Sequence, residues 1–317
     1  MIMAGKPLVS VIIPTYNRAS IICDTIDNIF EQTYRELEVI IVDDGSTDDT
    51  QSKLRQYGDR IRLIRQENCG PAVARNHGAR VARGGIIAFQ DSDDLWKPTK
   101  LERQVSLLER DRSLPCCLCN ISVGIMDGKG FTSFDQSFIH PQHEEGIWLN
   151  VADILATRFV LFTQAVAIRR ETFEKLGGFD ESLRYLEDYD LPLRLALVGP
   201  WAFIREPLVV YRKGSSLSFS QAALNDPITL KHCELKICER MLAEVKSGDG
   251  KASFRRHLKR RMGIFRRELR AIELGRKGFW GATTIAKFLT SIERYFVAGF
   301  RRSPWFPDAI TARLPNA

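Results

Sequence analysis

Short apolar runs recur through the first 90 residues, and a stretch with helical spacing follows each of them. The runs cover residues 8–13, 37–42, 61–64 and 84–89. Apolar runs without polar alternation are typical of strands that are covered on both faces, as in a parallel sheet. Repeated strand–loop–helix units of this length predict an α/β fold with a right-handed, doubly wound, mostly parallel sheet.

The pattern becomes mixed beyond residue 113. Residues 114–125 and 131–134 predict two strands joined by a turn. A helix is predicted over residues 191–198, because Gly199-Pro200 is a stop signal. We therefore expect a second, smaller half of mixed structure that ends near residue 220.

Three carboxylates follow the fourth apolar run within four residues, at Asp91, Asp93 and Asp94. Pro98 then opens a predicted helix, since proline is tolerated in a first helical turn. The acids thus lie at the carboxyl end of a strand, where open α/β sheets bind ligands. Carboxylates this close raise one another's pKa values. A divalent Mg²⁺ or Mn²⁺ would relieve that repulsion, because these ions bind carboxylates together with substrate phosphates. The alternative is a helix N-cap with solvated loop acids.

Polar residues also occupy the loops after the other strands, which would open at the same edge of the sheet. Thr15, Asn17 and Asp43 are suited to hydrogen bonds with a base or a ribose, and Arg75 is suited to a phosphate. Alternatively, Asp43 and Ser46 cap the helix that follows them. The chain has neither a Gly-x-x-x-x-Gly-Lys-Ser/Thr nor a Gly-x-Gly-x-x-Gly sequence. Those absences exclude a P-loop NTPase and a dinucleotide-binding dehydrogenase.

A second acidic pair, Glu187 and Asp188, lies at or just before the start of the helix predicted over residues 191–198. The helix dipole at that end favours a carboxylate over a carboxylic acid. An ionised Asp188 that faces the acidic loop would be a general base. The alternative is that both acids only cap the helix.

The formal net charge of +7 is unevenly distributed. Residues 1–220 hold 26 Lys/Arg and 30 Asp/Glu, whereas residues 221–317 hold 20 and 9. A mildly acidic body with a basic tail indicates two roles on one chain. We see neither a signal peptide nor an apolar run of the roughly 18–20 residues that a membrane span needs. The sequence therefore predicts a cytoplasmic protein.

The basic tail contains an amphipathic helical pattern with a strongly cationic polar face. Its apolar positions recur at steps of three and four residues, at Phe254, Leu258, Met262, Phe265, Leu269 and Ile272. Aromatic residues interleaved with Lys and Arg follow it, from Phe279-Trp280 to Trp305-Phe306. This combination favours peripheral attachment to an anionic membrane, at the inner face of the plasma membrane. The helix would otherwise pack its apolar face on the rest of the chain, and nucleic acid is not an expected partner.

The motifs together resemble glycosyltransferase family 2 over roughly residues 7–220. Each motif alone has little specificity, but their order and spacing are specific. They are Pro14-Thr15-Tyr16-Asn17-Arg18, Asp43-Asp44-Gly45-Ser46, Ala74-Arg75-Asn76, Asp91-Ser92-Asp93-Asp94, Gly177-Gly178-Phe179-Asp180 and Glu187-Asp188.

The resemblance implies a GT-A fold and an inverting transfer from a nucleotide-sugar donor, with UDP as the expected nucleotide and Mn or Mg as the metal. The expected acceptor is a hydroxyl of an envelope glycan or of a lipid-linked glycan. It further implies that Asp188 is the catalytic base, that Asp91 and Asp93 bind the metal, and that Glu187 and Trp96 lie on the acceptor side. Donor binding is implied for Pro14, Thr15, Tyr16, Asn17, Asp43, Ser46, Arg75, Asp91 and Ser92.

The chain departs from the family after Tyr211-Arg212, where a histidine-containing segment is common and Lys213-Gly214 stands here. Lys213 would supply positive charge to the leaving diphosphate instead. Two other functions remain open: a catalytically silent GT-A scaffold on a membrane, and a sugar nucleotidyltransferase. The second is disfavoured because its glycine-rich, Lys/Arg-bearing N-terminal loop is missing. On these grounds the expected organisation is a catalytic domain, 1–220, with halves 1–113 and 114–220, and a basic helical extension, 221–317.

Overall fold

A computed structural model describes residues 5–126, 129–212, 223, 225–246, 251–276 and 308–314. One mixed sheet with helices on its faces runs through the described chain. Its strands are β1 (Val9–Thr15), β2 (Leu37–Asp43), β3 (Arg62–Arg65), β4 (Ile86–Phe89), β5 (Leu95–Trp96), β6 (Cys116–Met126), β7 (Lys129–Thr132), β8 (Glu145–Trp148), β9 (Val166–Arg169), β10 (Trp201–Val210) and β11 (Thr311–Ala312). The helices are α1 (Ile22–Phe30), α2 (Thr50–Arg55), α3 (Pro71–Val81), α4 (Lys100–Arg110), α5 (Ser133–Gln136), α6 (Val151–Leu155), α7 (Arg170–Lys175), α8 (Glu187–Ala196), α9 (Pro227–Glu244) and α10 (Ala252–Arg276), with 3₁₀ turns at Gly58–Arg60 and Thr163–Ala165.

The sheet has the strand order β11-β8-β10-β6-β9-β4-β1-β2-β3. Strands β4, β1, β2 and β3 are parallel, which confirms the doubly wound arrangement expected of the first half. Strand β9 is antiparallel to both β4 and β6 and joins the second half to the first. In the second half β10 is parallel to β6 and antiparallel to β8, so this part is mixed, as the sequence predicts.

Register brings the ends of three parallel strands to one edge of the sheet. Thr15 at the end of β1 is paired with Asp43 at the end of β2. Phe89, the last residue of β4, is paired with Ile12 of β1. The loops that follow these strands therefore open side by side. Strand β5 pairs Trp96 with Val209 of β10, which fastens the acidic loop to the second half.

Strand β10 lies in the centre of the second half, yet the hydrophobic pattern does not single it out. Its apolar run is interrupted by Arg205-Glu206-Pro207, and a charged pair followed by proline is typical of a loop. The structure accommodates this segment as an irregularity, because the register of β10 against β6 shifts between Ile204 and Val209. Proline is tolerated in a strand at such a position.

The C-terminal extension packs on the sheet domain through α9 and α10. The apolar residues Phe254, Leu258 and Phe265 of α10 are buried, and the helix contacts α9 and α6. Three of the six predicted apolar positions of α10 are thus covered by protein, and Met262, Leu269 and Ile272 are half-buried. Packing of the helix on the rest of the chain was the alternative, and it is what the structure shows. Attachment of the extension to a membrane stays a prediction.

The extension is also not wholly helical, because Thr311–Ala312 adds the edge strand β11 beside β8. No helix within the described ranges is long and apolar enough to cross a membrane. The aromatic residues expected at the membrane between residues 279 and 306 lie outside the described residues, as does Lys213.

Candidate active site at the carboxyl edge of the sheet

The paired strand ends Thr15 and Asp43 form one wall of the cleft, which we call the donor edge. Asp43 is fully buried, and its Oδ1 accepts the backbone N–H of Ser46 at 2.9 Å. Its Oδ2 and the hydroxyl of Thr15 have no hydrogen-bond partner in the described part of the chain, although Arg65 Nε lies 3.8 Å from Oδ2. Buried polar atoms are rarely left without partners. These two atoms are therefore suited to a polar ligand such as a base or a ribose.

Asn17 links the loop after β1 to the loop after β2 through hydrogen bonds. It adopts a left-handed conformation with φ 51°. Its backbone N–H donates to Ser46 Oγ at 3.0 Å, and its Oδ1 accepts the N–H of Thr47 at 2.8 Å. The alternative in which Ser46 caps α2 is wrong, because Asp48 accepts the N–H of Thr50 at 3.0 Å.

Asp44 fixes the loop that precedes α3. Its two carboxylate oxygens accept the backbone N–H groups of Cys69 and Gly70, each at 2.9 Å. Gly70 has φ 91°, a conformation that favours glycine, and α3 begins at the next residue. Asp44 therefore orients α3, and with it Arg75, toward the acidic loop.

Asp91 and Asp93 are the accessible carboxylates of the acidic loop, with 28% and 26% of their side chains exposed. Asp91 Oδ1 accepts a hydrogen bond from Arg75 at 2.9 Å. Asp93 Oδ2 lies 3.7 Å from a guanidinium nitrogen of Arg18. Both carboxylates thus face the cleft with a cation beside them, which lowers the repulsion between them.

Unlike Asp91 and Asp93, Asp94 is buried beneath the loop. Its carboxylate accepts hydrogen bonds from the backbone N–H of Arg212 and from Gln164 Nε2, both at 3.1 Å. Burial, followed by the charge of Asp91, raises the pKa of Asp94 to about 8. Asp94 consequently anchors the acidic loop to the second half.

Arg75 joins the two acidic clusters across the cleft. Its Nη2 donates to Asp91 Oδ1 and its Nη1 to Glu187 Oε1, each at 2.9 Å, although Arg75 and Glu187 are 112 positions apart. Burial acts to lower the pKa of Arg75, but the charges of Asp91 and Glu187 outweigh it and raise that pKa. The positive charge expected to meet a phosphate is therefore held by two carboxylates of the protein itself.

Asp188 lies in the first turn of α8, beside Glu187. Burial, and then the charge of Glu187, raises the pKa of Asp188 to about 7. Arg75 opposes this change and Asp91 adds to it, so both act on Asp188 within the same cleft. A carboxylate whose pKa lies near neutral pH is suited to accept a proton. The preceding residue, Leu186, has φ 68°, a conformation that costs a non-glycine residue about 1–3 kcal/mol and is concentrated at functional sites.

The remaining predicted residues divide into exposed and buried ones. Tyr16 is exposed beside the donor edge and Pro14 is half-buried within β1. Ser92 is buried, and its carbonyl accepts a hydrogen bond from Thr25 of α1 at 2.9 Å. The expectation that Trp96 contacts an acceptor is wrong, because only 2% of it is exposed.

Two contacts hold Trp96 in the core. Lys100 Nζ lies 3.6 Å from the centroid of its ring, and the residue pairs with β10. Glu187 is likewise buried, and its carboxylate faces Arg75.

Three residues of the site were not predicted: Arg18, Gln164 and Arg212. Arg18 Nη2 lies near Asp93, while Gln164 and Arg212 hold Asp94. Arg212 also donates from Nε to the carbonyl of Asp93 at 2.7 Å. Arg18 is the last residue of the first family motif and could have been found from it. Gln164 lies in a segment without any motif, so no sequence signal marks it.

Asp91 and Asp93 are the residues that fit a divalent metal. In the part of the chain that the structure describes, no group of three His, Cys, Asp or Glu side chains would hold such an ion. Mg²⁺ and related ions are commonly bound by one or two carboxylates together with substrate phosphates and water. Two accessible oxygen ligands on one loop fit a metal that arrives with a diphosphate.

Sequence comparisons identify a family model and several relatives that match this chain. The family model described as "Glycosyl transferase family 2" matches residues 10–161. An uncharacterized glycosyltransferase of Haemophilus influenzae is 31% identical over 223 residues, which are 70% of this chain and 67% of that protein. An uncharacterized glycosyltransferase of Rickettsia typhi is 33% identical over 211 residues, 65% of this chain and 64% of its own length. The chain thus spans a little under two thirds of that Rickettsia relative.

A shorter match and two solved structures extend the comparison. The putative teichuronic acid biosynthesis glycosyltransferase TuaG of Bacillus subtilis is 44% identical over 139 residues, 43% of this chain and 53% of that protein. Residues 1–349 of S. aureus TarS in complex with UDP-GlcNAc align with a TM-score of 0.63 at 20% identity, covering 81% of this chain and 71% of that one. The mannosyltransferase PcManGT from Pyrobaculum calidifontis, in complex with GDP-Man and Mn²⁺, aligns with a TM-score of 0.60 at 22% identity, covering 95% and 82%.

The structural matches show the fold, a GT-A arrangement, and the sequence matches show the relationship. The acidic loop and the start of α8 meet in one cleft, as the motifs led us to expect. On this evidence the chain belongs to glycosyltransferase family 2.

Proposed function

We propose that this chain is an inverting glycosyltransferase that moves a sugar from a nucleotide-sugar donor to a hydroxyl of an acceptor. The observation that carries the proposal is the pair of hydrogen bonds from Arg75 to Asp91 and Glu187, which brings a carboxylate loop and a candidate base to one cleft. A pKa of about 7 for Asp188 supports its role as that base.

Two polar atoms of the donor edge support a nucleotide as the group to which the transferred sugar is attached. Asp43 Oδ2 and Thr15 Oγ1 are buried and have no hydrogen-bond partner among the described residues, so a base or ribose that donates hydrogen bonds would satisfy them. We propose UDP as the nucleotide. Solved structures with this fold are complexes with UDP, with UDP-GlcNAc or with GDP-Man. The panel of donors to be tested therefore includes UDP-linked and GDP-linked sugars.

Asp91 and Asp93 would hold a Mn²⁺ or Mg²⁺ ion. When bound, such an ion neutralises charge that develops on the leaving diphosphate. Arg18, 3.7 Å from Asp93, would add a second positive charge from the protein at the same place. The roles of the chain's own residues in holding the loop do not depend on the ion, since Arg75, Gln164 and Arg212 fix it already.

Asp188 would act in the displacement itself. Its carboxylate accepts the proton of the acceptor hydroxyl while that oxygen attacks the anomeric carbon of the donor. The bond between that carbon and the diphosphate oxygen breaks, and the nucleoside diphosphate leaves with the electron pair. Attack from the face opposite the leaving group inverts the anomeric configuration. Arg75 already pairs with the carboxylate of Glu187, so Asp188 is the carboxylate that takes up the proton.

We further propose that the acceptor is an envelope glycan or a lipid-linked glycan. Two relatives carry names of that kind, TuaG of teichuronic acid biosynthesis and a chondroitin synthase of Escherichia coli. The polar face of α10 supports contact with an anionic membrane surface, because Arg256, Lys259, Arg267 and Arg270 are exposed on it. Such contact would be electrostatic, since the apolar face of the helix packs on the rest of the chain.

The test of this function is a donor screen with and without metal. We expect one UDP-linked sugar to raise the unfolding temperature in the presence of Mn²⁺ more than in EDTA, and to be consumed slowly by hydrolysis. Asp93→Ala should lose the metal-dependent part of donor binding in calorimetry, whereas Asp59→Ala, an exposed aspartate on the 3₁₀ turn after α2, should keep it. If no UDP- or GDP-linked sugar binds or is hydrolysed, the chain is a catalytically silent scaffold.

A further inference from the structure

The C-terminal extension touches the catalytic half at the segment that carries Asp188. Arg240 of α9 lies between two aspartates on either side of that residue. Its Nη1 donates to Asp180 Oδ2 at 2.7 Å, and its Nη2 forms an ion pair with Asp190. Asp190 is fully buried. A side chain of the extension is therefore part of the charge balance of the first turn of α8.

Asp190 also ties α8 to the glycine turn before it. Arg194 lies 2.7 Å from Asp190, and it donates to the carbonyl groups of Leu176 and Gly178 at 2.6 and 2.7 Å. Arg240 thus completes a cluster of two carboxylates, Asp180 and Asp190, and two guanidinium groups, Arg194 and Arg240. Removing Arg240 leaves this largely buried cluster with one positive charge fewer than negative charges.

A second helix of the extension contacts the residue between Asp188 and Asp190. The guanidinium carbon of Arg261 in α10 lies 4.6 Å from the centroid of the Tyr189 ring. Arg261 Nη1 and the hydroxyl of Tyr189 both donate to the carbonyl of Leu155, each at 3.3 Å. Tyr189 is buried between this arginine and the ring of Phe159, whose centroid is 6.0 Å away.

The neighbours of Asp188 are thus each held by an arginine from a different element. Glu187 is paired with Arg75 of α3, Tyr189 lies under Arg261 of α10, and Asp190 is paired with Arg240 of α9. Leu186, which precedes them, is in a strained left-handed conformation that only surrounding contacts can maintain. Two of the three supports come from the extension.

We propose that the C-terminal extension is a positioning element for the general base, and that Arg240 and Arg261 are its positioning residues. This inference rests on the proposed function, because it concerns the orientation of Asp188. A general base works only within hydrogen-bond reach of the proton that it removes. A displacement of about 1 Å can cost about 10²-fold in rate. The extension would set the turnover of the enzyme without touching either substrate.

The kinetic test compares Arg240→Ala, Arg261→Ala and Arg240→Lys with a matched control. The control is Arg266→Ala: Arg266 pairs with Glu239 at 3.0 Å, so it links the same two helices, and the pair is more than half exposed and belongs to neither the cleft nor α8. We expect both alanine variants to lower kcat by roughly 10- to 100-fold with donor KM and nucleotide Kd within about twofold. Arg240→Lys should recover part of the loss, and Arg266→Ala should match the wild type.

The proposal is overturned if Arg240→Ala keeps the wild-type kcat, if Arg266→Ala loses as much, or if kcat falls only in proportion to unfolded protein or to lost donor affinity. Hydrogen exchange separates this from a failure of the proposed function, since it needs no substrate. The amides of Tyr189 and Asp190 donate to the carbonyl of Leu186 at 3.0 and 2.9 Å. They should exchange at least tenfold faster in Arg240→Ala and be unchanged in Arg266→Ala. Unchanged exchange in Arg240→Ala would refute the positioning role even if the wild type transferred no sugar.

Discussion

The two walls of the cleft are built by different kinds of interaction. The donor edge, at the ends of β1 and β2, is fastened mainly by side chain–backbone hydrogen bonds between neighbouring loops, such as those of Asn17 with Ser46 and Thr47. The base edge, which we define as residues 186–190, is held by arginines from α3, α9 and α10. The first wall is assembled locally, and the second depends on long-range charge pairs.

This difference has consequences for what a mutation does. On the donor edge, Asp43 Oδ2 and Thr15 Oγ1 are without described hydrogen-bond partners, so a ligand gains from them and a substitution there changes affinity. On the base edge the carboxylate of Glu187 is already paired with Arg75. A substitution of Glu187 therefore leaves the buried guanidinium of Arg75 without that counter-charge. We expect donor-edge variants to change Kd, and base-edge variants to change stability and kcat.

The largest effect should follow Arg75→Ala, which removes the link between the acidic loop and the base edge. Breaking a buried pair by removing one partner costs about 3–5 kcal/mol, because the other charge remains buried. Arg75 serves two carboxylates, Asp91 and Glu187, so we expect a loss of about that size in urea denaturation and no measurable turnover. Arg75→Lys keeps the charge but not both hydrogen bonds, so its stability and turnover should lie between those of Arg75→Ala and the wild type. A variant as stable as the wild type would show that the acidic loop and the base edge are held independently of each other.

The next largest effect should follow Asp188→Asn. General base catalysis contributes about 10²–10⁴-fold, so kcat should fall by that factor while nucleotide Kd stays within about twofold. The wild-type rate should rise with pH through about 7 and then level off, because burial raises the pKa of Asp188 to about that value and only the ionised form accepts a proton. That rise should be absent in the variant. An equal loss of nucleotide affinity and rate would contradict the assignment of Asp188 as base.

The sequence predicted the donor edge better than the base edge, for a physical reason. Unbroken apolar runs and the polar loops after them are local patterns, and parallel strands bring their ends together by register alone. Thr15 and Asp43 could therefore be expected at one edge, where they are paired. The parallel strands of the first half follow from the same kind of signal, whereas α8 begins at Glu187, four residues before the helix predicted over residues 191–198.

The partners of the base edge could not be predicted in this way. Nothing in the residues around Arg240 indicates that it would meet Asp180 and Asp190, which are at least 50 positions earlier. The amphipathic pattern of α10 was visible, but a periodic pattern does not say whether protein or lipid covers the apolar face. Trp96 was assigned to the acceptor side from the family resemblance, whereas its place in the core depends on Lys100 and β10.

A smaller and more selective effect should follow Asp43→Asn on the donor edge. The amide keeps an oxygen that can accept the N–H of Ser46, but it replaces Oδ2, which accepts no hydrogen bond within the described chain, with a donor. A hydrogen bond to a charged group is worth about 1.5–3 kcal/mol, so nucleotide Kd should rise about 10- to 100-fold. Saturating kcat should change less than twofold, as measured by calorimetry and by initial rates. A loss confined to kcat would place Asp43 with the base edge and break the comparison.

The smallest effect should follow Lys100→Met, because Lys100 is buried near neither wall. Burial lowers the pKa of Lys100 to about 8. Between that value and its ordinary pKa of 10.5 the unfolded chain binds the additional proton, so wild-type stability should rise with pH across that interval. Methionine removes the cost of a buried charge but also loses the contacts with Trp96 and Gln104. We expect a net gain of about 1 kcal/mol at pH 7, and a smaller difference at pH 10 in urea denaturation. Because the residue supports neither wall, donor Kd and kcat should both match the wild type, and a change in either would mean that the core beneath the acidic loop also sets the geometry of the cleft.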